Sequence, residues 1–332
     1  MRKYLSFGAA TLLALALTAC GTTNESEGKE ADTNKEVVEN KSEDSVDVSA
    51  EQATELKINY LGTEYTFPNP AERIVAASLE AMEDAAVLGV NPVGVLDIAG
   101  KVPDYLETDF AGAALVGDKR TPNAEAILAL NPDAIIGTSK WSEDVMANMN
   151  KIATTLPYSH ISTNWKDNLL ALAELTGKTA EAEKILSDYE AKASEAKATL
   201  GDTAADKEVL TIRIRAGLMN IYPAGVYLNP VLYEDLGLKV PEAVAAAKAQ
   251  TEITIETLSQ IDPDVIFLQF EESENTDAPS ALDDLQKNPI FSNLTATKNG
   301  EVYVNAVDPL AQGGTAWSKV KFLDAAVEKL VK

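Results

Sequence analysis

The sequence predicts an α/β protein of two lobes, joined by a long helix, with a ligand cleft between them. Three observations predict it. Short apolar strands alternate with helical segments over residues 56–163, and the same rhythm resumes after residue 200. Between these stretches, residues 165–200 are nearly all helix formers, chiefly Ala, Leu, Glu and Lys, with one dip at Thr176-Gly177. There is also a faint internal repeat. Leu130-Asn131-Pro132-Asp133-Ala134-Ile135-Ile136 is matched by Ile261-Asp262-Pro263-Asp264-Val265-Ile266-Phe267, and Leu88-Gly89-Val90 by Leu236-Gly237-Leu238. Gly and Pro recur at helix–turn–strand joints in any case, but the joints here carry apolar strands of the same character. Two similar lobes leave a cleft between them, the default place for a ligand.

Each element has a local reason. Residues 56–67 alternate weakly and read as an edge hairpin leading into Asn69-Pro70. Arg73-Ile74-Val75-Ala76-Ala77 is a short buried strand, and residues 83–88 continue as a helix stopped by Gly89. Strands follow at residues 92–96 and 133–137, with a helix over 123–130 between them. Residues 142–153 form an amphipathic helix with Ser142 as N-cap and Glu143 and Asp144 in its first turn. The run 165–200 suits one helix, or two joined end to end, crossing between lobes. Beyond it come a strand at 209–215, a helix at 230–236 ended by Gly237, a helix at 255–261 and a strand at 265–270. The turn Lys298-Asn299-Gly300 precedes a strand at 301–304, and a helix over 317–330 closes the chain.

The N-terminus is different in kind. Arg2 and Lys3 precede an apolar run over residues 5–17, too short for a comfortable membrane span of about 20 residues, so it reads as a secretory signal. Leu17-Thr18-Ala19-Cys20-Gly21 then resembles a bacterial lipobox, which implies cleavage before Cys20 and acylation of its thiol, with two or three acyl chains giving durable anchoring. Residues 21–55 hold eleven acidic and three basic residues and no aromatic. Such a segment buries too little apolar surface to offset its ordering entropy and reads as a tether, with an acidic interaction tail as the alternative. The resulting division is signal 1–19, lipidated Cys and tether 20–55, first lobe 56–163, connecting helix 164–200 and second lobe 201–332.

Composition excludes several functions. With 28 Lys+Arg against 52 Asp+Glu the formal net charge is -24, which argues against gripping a nucleic-acid backbone or adhering to anionic lipid by charge. One Cys and one His leave no intrachain disulfide, no Cys-rich zinc site and no three-histidine centre, so no metal ligands are expected and Cys20 carries only lipid. There is no Gly-x-Ser-x-Gly elbow, no Gly-x-Gly-x-x-Gly and no Walker loop, so no catalytic residues are expected.

Several motifs share an order and spacing. They are Pro70-Ala71-Glu72-Arg73-Ile74-Val75, Glu83 six residues before Gly89, the stretch from Asn123 to Asp133, and Trp165 opening the long helix. Leu232-Tyr233-Glu234-Asp235-Leu236-Gly237, Ile255-Glu256-Thr257-Leu258 and Lys298-Asn299-Gly300-Glu301-Val302-Tyr303 follow. With the lipobox, they make the chain resemble the iron-siderophore-binding lipoproteins of Gram-positive ABC importers, from about Asn69 to the end. The resemblance implies two Rossmann-like lobes, a stiff joint, a ferric siderophore as ligand, and a monomer anchored by lipid on the outer face of the membrane. The implied partner is an ABC permease dimer with its ATPase. It also implies a surface Glu on each lobe that meets permease arginines. The matching positions are Glu83 and Glu256, with Glu80 and Glu252 as neighbouring alternatives.

A ferric siderophore already fills the coordination of its iron, so the protein must offer cations, donors and flat walls. In Thr211-Ile212-Arg213-Ile214-Arg215, Arg213 and Arg215 share one side of a strand. Two guanidinium groups side by side suit carboxylate or chelate oxygens. The alternative is an edge strand with a solvated face paired to nearby Glu. The resemblance places ligand arginines in this region. Further ligand candidates sit in loops: Lys119, Arg120, Lys140, Trp141 as a rim wall, Tyr222, Tyr227, and Trp317 after the Gly-rich run 308–315. Arginine's fit to carboxylates favours citrate-containing or hydroxamate chelates, and residues 308–317 resemble that branch of the family. Two arginines and a lysine also partly mimic the basic triad of catecholate binders. Heme, through His160 and one of Met82, Met146, Met149 or Met219, and cobalamin stay open, as does a surface adhesion or structural lipoprotein.

Overall fold

The structure, a computed structural model, describes residues 54–205 and 207–331. The signal, Cys20 and nearly all of the tether lie outside the described residues. The chain enters through a hairpin of β1 (Thr54–Tyr60) and β2 (Thr63–Asn69), which forms a two-stranded sheet of its own. Leu61 and Gly62 both take positive φ, as a two-residue turn matching the strand twist requires. Buried Tyr60 fixes the hairpin to the rest: its hydroxyl donates to Asn168 Oδ1 and accepts from the Ser159 amide.

The first lobe is built from β3 (Ile74–Ala76), α1 (Leu79–Leu88), β4 (Gly94–Val95), β5 (Ala114–Leu115), α2 (Ala124–Ala129), β6 (Ala134–Thr138), α3 (Glu143–Met149) and β7 (Thr155–Tyr158). Its sheet runs β5-β4-β3-β6-β7, every pair parallel. The inner strands β3 and β6 are buried on both faces, so they read as unbroken apolar runs. Ser78, Asn123 and Ser142 cap the three helices by accepting from the amide three residues on, which explains why each starts where it does.

The connection is α4 (Trp165–Thr176) and α5 (Thr179–Ala205). They do not run end to end. Gly177, left-handed at φ 68, ends α4, and the chain turns back. Trp165 meets the Tyr189 ring at 5.0 Å and Lys166 pairs with Glu190, so the start of α4 lies beside the middle of α5. The pair is a helical hairpin, and α5 alone supplies the long span, about 33 Å to Leu200 at the α-helical rise. A non-helical Gly201 interrupts it before the second lobe.

The second lobe contains β8 (Val209–Arg215), β9 (Leu218–Ile221), α6 (Glu242–Ala246), β10 (Thr251–Glu252), α7 (Ile255–Ile261), β11 (Val265–Phe270), α8 (Ala281–Lys287), α9 (Pro289–Ser292), α10 (Thr295–Asn299), β12 (Val302–Val304) and α11 (Ala316–Leu330). The helix expected over 230–236 is a π-helical turn, Val231–Asp235. Strand order is β10-β9-β8-β11-β12, with β8, β11 and β12 parallel, β9 antiparallel to β8, and β10 antiparallel to β9. The arginine strand β8 is therefore interior, not an edge. α11 packs on this sheet through Phe322 against Phe267 (5.1 Å) and reaches α1 of the first lobe with its N-terminal end. Behind it, buried Lys319 pairs with Asp235 at 2.7 Å and lies over the Trp165 and Tyr189 rings, tying α11 to the helical hairpin.

Candidate functional site

Parallel strands aim their C-terminal ends at a common crevice, where α/β proteins bind ligands. Here β8 ends in Arg215, β6 leads to Ser139 and Lys140, and β7 leads to His160. A cavity of about 480 Å³ opens at this level. It is lined by Lys119 from the first lobe and by Arg215, Asn220, Gln250, Ser273 and Glu274 from the second. A groove of similar size, 470 Å³, lies wholly in the second lobe beside Met219 and Leu285. Its only charged lining groups are Glu252 and Asp284, so it does not suit an anion.

Arg213 and Arg215 project to the same side, as strand alternation requires, and both reach Glu274. Arg213 pairs at 2.9 Å and Arg215 at 3.2 Å. The Arg213 side chain is only 10% exposed and its guanidinium lies 5.1 Å from the centre of the Tyr227 ring. Arg215 is more open and also donates to Gln250 Oε1 at 3.0 Å. Lys119 comes from the opposite lobe. Its pKa is lowered by desolvation first; Glu274 works to raise it, and Arg215, Arg213 and Lys140 push it down. Three cations thus gather at one carboxylate, with Asp308 a further acidic neighbour of Arg213, and the cleft keeps a local positive surplus in a protein of net charge -24. In a crevice with low-dielectric walls such an excess concentrates anions.

The other expected ligand residues fall into two groups. Lys140 is exposed and pairs with buried Glu80 at 3.2 Å, beside a Ser139–His160 hydrogen bond of 2.8 Å. Arg120 is exposed in a tight loop whose Asp118 accepts from the Arg120 and Thr121 amides. Trp141 is not a rim wall. It is 9% exposed and lies flat over Gly137, where a Cβ would sit 2.2 Å from the ring. Its indole N–H donates to the Lys119 carbonyl, so its part is to hold the Lys119 loop. Tyr222 and Tyr227 are buried too and packed together at 5.1 Å; Arg213 lies over the Tyr227 ring, and the Tyr222 hydroxyl donates to Gln250 Oε1 at 3.1 Å. Trp317 is half-buried and meets Tyr105 of the other lobe at 4.9 Å.

Glu83 does not fit the surface role expected for it. It is 0% exposed, and its carboxylate accepts from Tyr105 Oη, the Gln312 amide, Thr315 Oγ1 and Ser318 Oγ. Burial pushes its pKa up to about 7 against the pull of those hydrogen bonds. Glu80, the nearby alternative, is buried as well. Glu256 is exposed at the start of α7. The internal repeat identifies its counterpart, which the sequence reading passed over. Glu125 is exposed at the second position of α2, after the Asn123 cap, as Glu256 is at the second position of α7, after the Thr254 cap. Each lies seven residues before the proline of its repeat, Pro132 or Pro263. Glu274 and Gln250 were missed for another reason: they lie 61 and 35 residues from the arginines they bind, and no local pattern marks them.

Residues 74–306 match the family model described as periplasmic binding protein. The iron-uptake system-binding protein of Bacillus subtilis (strain 168) is 46% identical over 322 residues, covering 97% of this chain and 96% of that protein. The probable siderophore-binding lipoprotein YfiY of the same organism is 28% identical over 314 residues, 91% of this chain and 90% of that one. The crystal structure of the triscatecholate siderophore binding protein FeuA from Bacillus subtilis, in complex with ferri-bacillibactin, superposes with a TM-score of 0.78 at 50% identity, covering 83% of this chain and 98% of that one. The chain belongs to the periplasmic binding protein family, as its resemblance to siderophore-binding lipoproteins implied.

Proposed function

We propose that this protein captures an anionic ferric siderophore of the tris-catecholate class between its lobes and hands it, without chemical change, to an ABC permease. The observation that carries the reading is one cavity lined by Lys119 of the first lobe and Arg215 of the second, with Arg213 beside Arg215 on the same carboxylate, Glu274. Three doubly ionised catechols around a ferric ion leave a trianion, whose charge is spread over all sides of a bulky chelate. Cations from both lobes meet it better than a one-sided patch does, and charge complementarity also raises the encounter rate. The similarity to FeuA, whose structure holds ferri-bacillibactin, supports this ligand class. A neutral ferric trihydroxamate brings no net charge for these cations to meet.

Cys20 anchors the protein by lipid outside the cell membrane, a reading supported by the lipobox and by the name of YfiY. Glu125 and Glu256, one on each lobe, present their carboxylates to arginines of a two-fold permease. The ligand reading is tested by titrating the purified protein with ferri-bacillibactin, ferric citrate, a ferric trihydroxamate, heme and cobalamin, following tryptophan fluorescence. Tightest binding of ferri-bacillibactin is expected, with quenching of Trp141 behind Lys119. Failure of every ferric chelate to bind, or tighter binding of heme or cobalamin, overturns it.

A further inference from the structure

A junction between the lobes lies behind the cleft, and it is made of carboxylates. Glu83 and Asp84 on α1 meet the N-terminus of α11. Asp84 Oδ1 accepts from the Ala316 amide at 2.8 Å, one of the amides that a helix start leaves without an internal partner. Glu83 takes the Thr315 and Ser318 hydroxyls and the Gln312 amide, so three of its four donors come from the far lobe. The fourth, Tyr105, packs on Trp317, which closes the contact from its other side. This one side chain therefore fixes both the last loop and the first turn of α11.

The loop it fixes has little freedom. A Cβ on Gly313, at φ 74, would sit 2.5 Å from the Tyr227 backbone, and one on Gly314 would sit 3.1 Å from Ser162. Tyr227 itself takes φ 60, a conformation uncommon for a bulky L residue. Its ring is the surface on which Arg213 lies. Contact thus runs unbroken from Glu83 through Gln312 and Gly313 to Tyr227 and Arg213.

We propose that Glu83 is a positioning residue of the ligand cleft: a first-lobe carboxylate that holds residues 312–318 across the lobe boundary and, through Gly313, sets Tyr227 and the Arg213 that rests on it. The proposal builds on the cleft being the ligand site. Glutamine keeps the size and one acceptor oxygen of Glu83, and the Thr315 and Ser318 hydroxyls can rotate to accept from its amide, so Glu83→Gln should preserve the junction. Alanine leaves four donors without their acceptor.

The test compares the full chain with Glu83→Ala and Glu83→Gln by amide hydrogen exchange and by titration with ferri-bacillibactin. In Glu83→Ala, exchange should quicken at least about tenfold in residues 308–318 and around Tyr227, while β3 and β6 keep wild-type protection. Affinity should fall at least about tenfold, and Glu83→Gln should restore both to near wild type. Wild-type exchange around Tyr227 in Glu83→Ala overturns the proposal, whether or not residues 308–318 loosen. So does wild-type affinity in a Glu83→Ala protein that shows the faster exchange. If Glu83→Ala does not fold, Ser318→Ala removes one donor and is read in the same way, with a smaller change. If the wild type binds no ferric chelate, the transport reading falls, and exchange around Tyr227 alone decides the proposal.

Discussion

Replacing Arg213 with alanine should weaken ferri-bacillibactin binding by at least tenfold, and replacing Arg213 and Arg215 together by much more. Truncating one partner of a desolvated, hydrogen-bonded charge pair costs about 2–5 kcal/mol, and each 1.4 kcal/mol is a factor of ten. Here the loss has two sources. The chelate loses a cation, and Glu274, whose side chain is 9% exposed, keeps one fewer partner and repels the incoming anion. The carboxylate separates these contributions. Glu274→Gln should lower the stability of the ligand-free protein, because Arg213 is then buried without its counter-ion. The same change should tighten the chelate by about 1 kcal/mol, roughly fivefold, since the ligand now supplies the missing anion. The losses should be smaller for a neutral ferric trihydroxamate, which brings no net charge to the guanidinium groups. Calorimetry with both chelates measures this directly. Unchanged affinity of the double arginine variant for every chelate removes the pair from the site.

The second large effect concerns delivery. Reversing Glu125 and Glu256 together to arginine should leave chelate affinity within about twofold of wild type, because both side chains are exposed on short helices outside the cavity lining. Uptake of iron from ferri-bacillibactin by cells that depend on this protein should fall by at least tenfold, since like charges facing each other across an interface cost several kcal/mol. Reversing Glu83 instead would bury a guanidinium among the Tyr105, Thr315 and Ser318 hydroxyls and should cost folding itself, which distinguishes the two assignments. Normal uptake by the Glu125/Glu256 variant would remove both residues from docking.

Elements with a clear local period were legible from sequence. The strands 209–215 and 265–270 and the helix 255–261 fall where apolar runs and caps place them. β9 and β10 were not legible: they are short and partly polar, and β9 forms because β8 is there to pair with, β10 because β9 is. The helical hairpin of α4 and α5 was half legible. Gly177 marks the break, but that the chain doubles back depends on Trp165 finding Tyr189. The arginine pair was legible from alternation alone, whereas Glu274 between them was not. Trp141 shows the limit for aromatics, since its burial depends on the missing side chain of Gly137, four residues earlier, and on the Lys119 carbonyl. Glu83 shows it for charge. Nothing within α1 reveals that three of its donors lie 229 to 235 residues further along. The repeat, by contrast, held the better docking candidate, and its two prolines aligned Glu125 with Glu256.

Cations of both lobes are expected to enclose the ferric chelate. The most direct measurement is the position of iron, by anomalous scattering, in crystals of the protein grown with ferri-bacillibactin. The iron should lie between Lys119 on one side and Arg213 and Arg215 on the other, with the Glu274 pairs to the arginines loosened in favour of chelate oxygens. Iron bound elsewhere, or held in the cleft with Lys119 turned away and both Glu274 pairs intact, would contradict it.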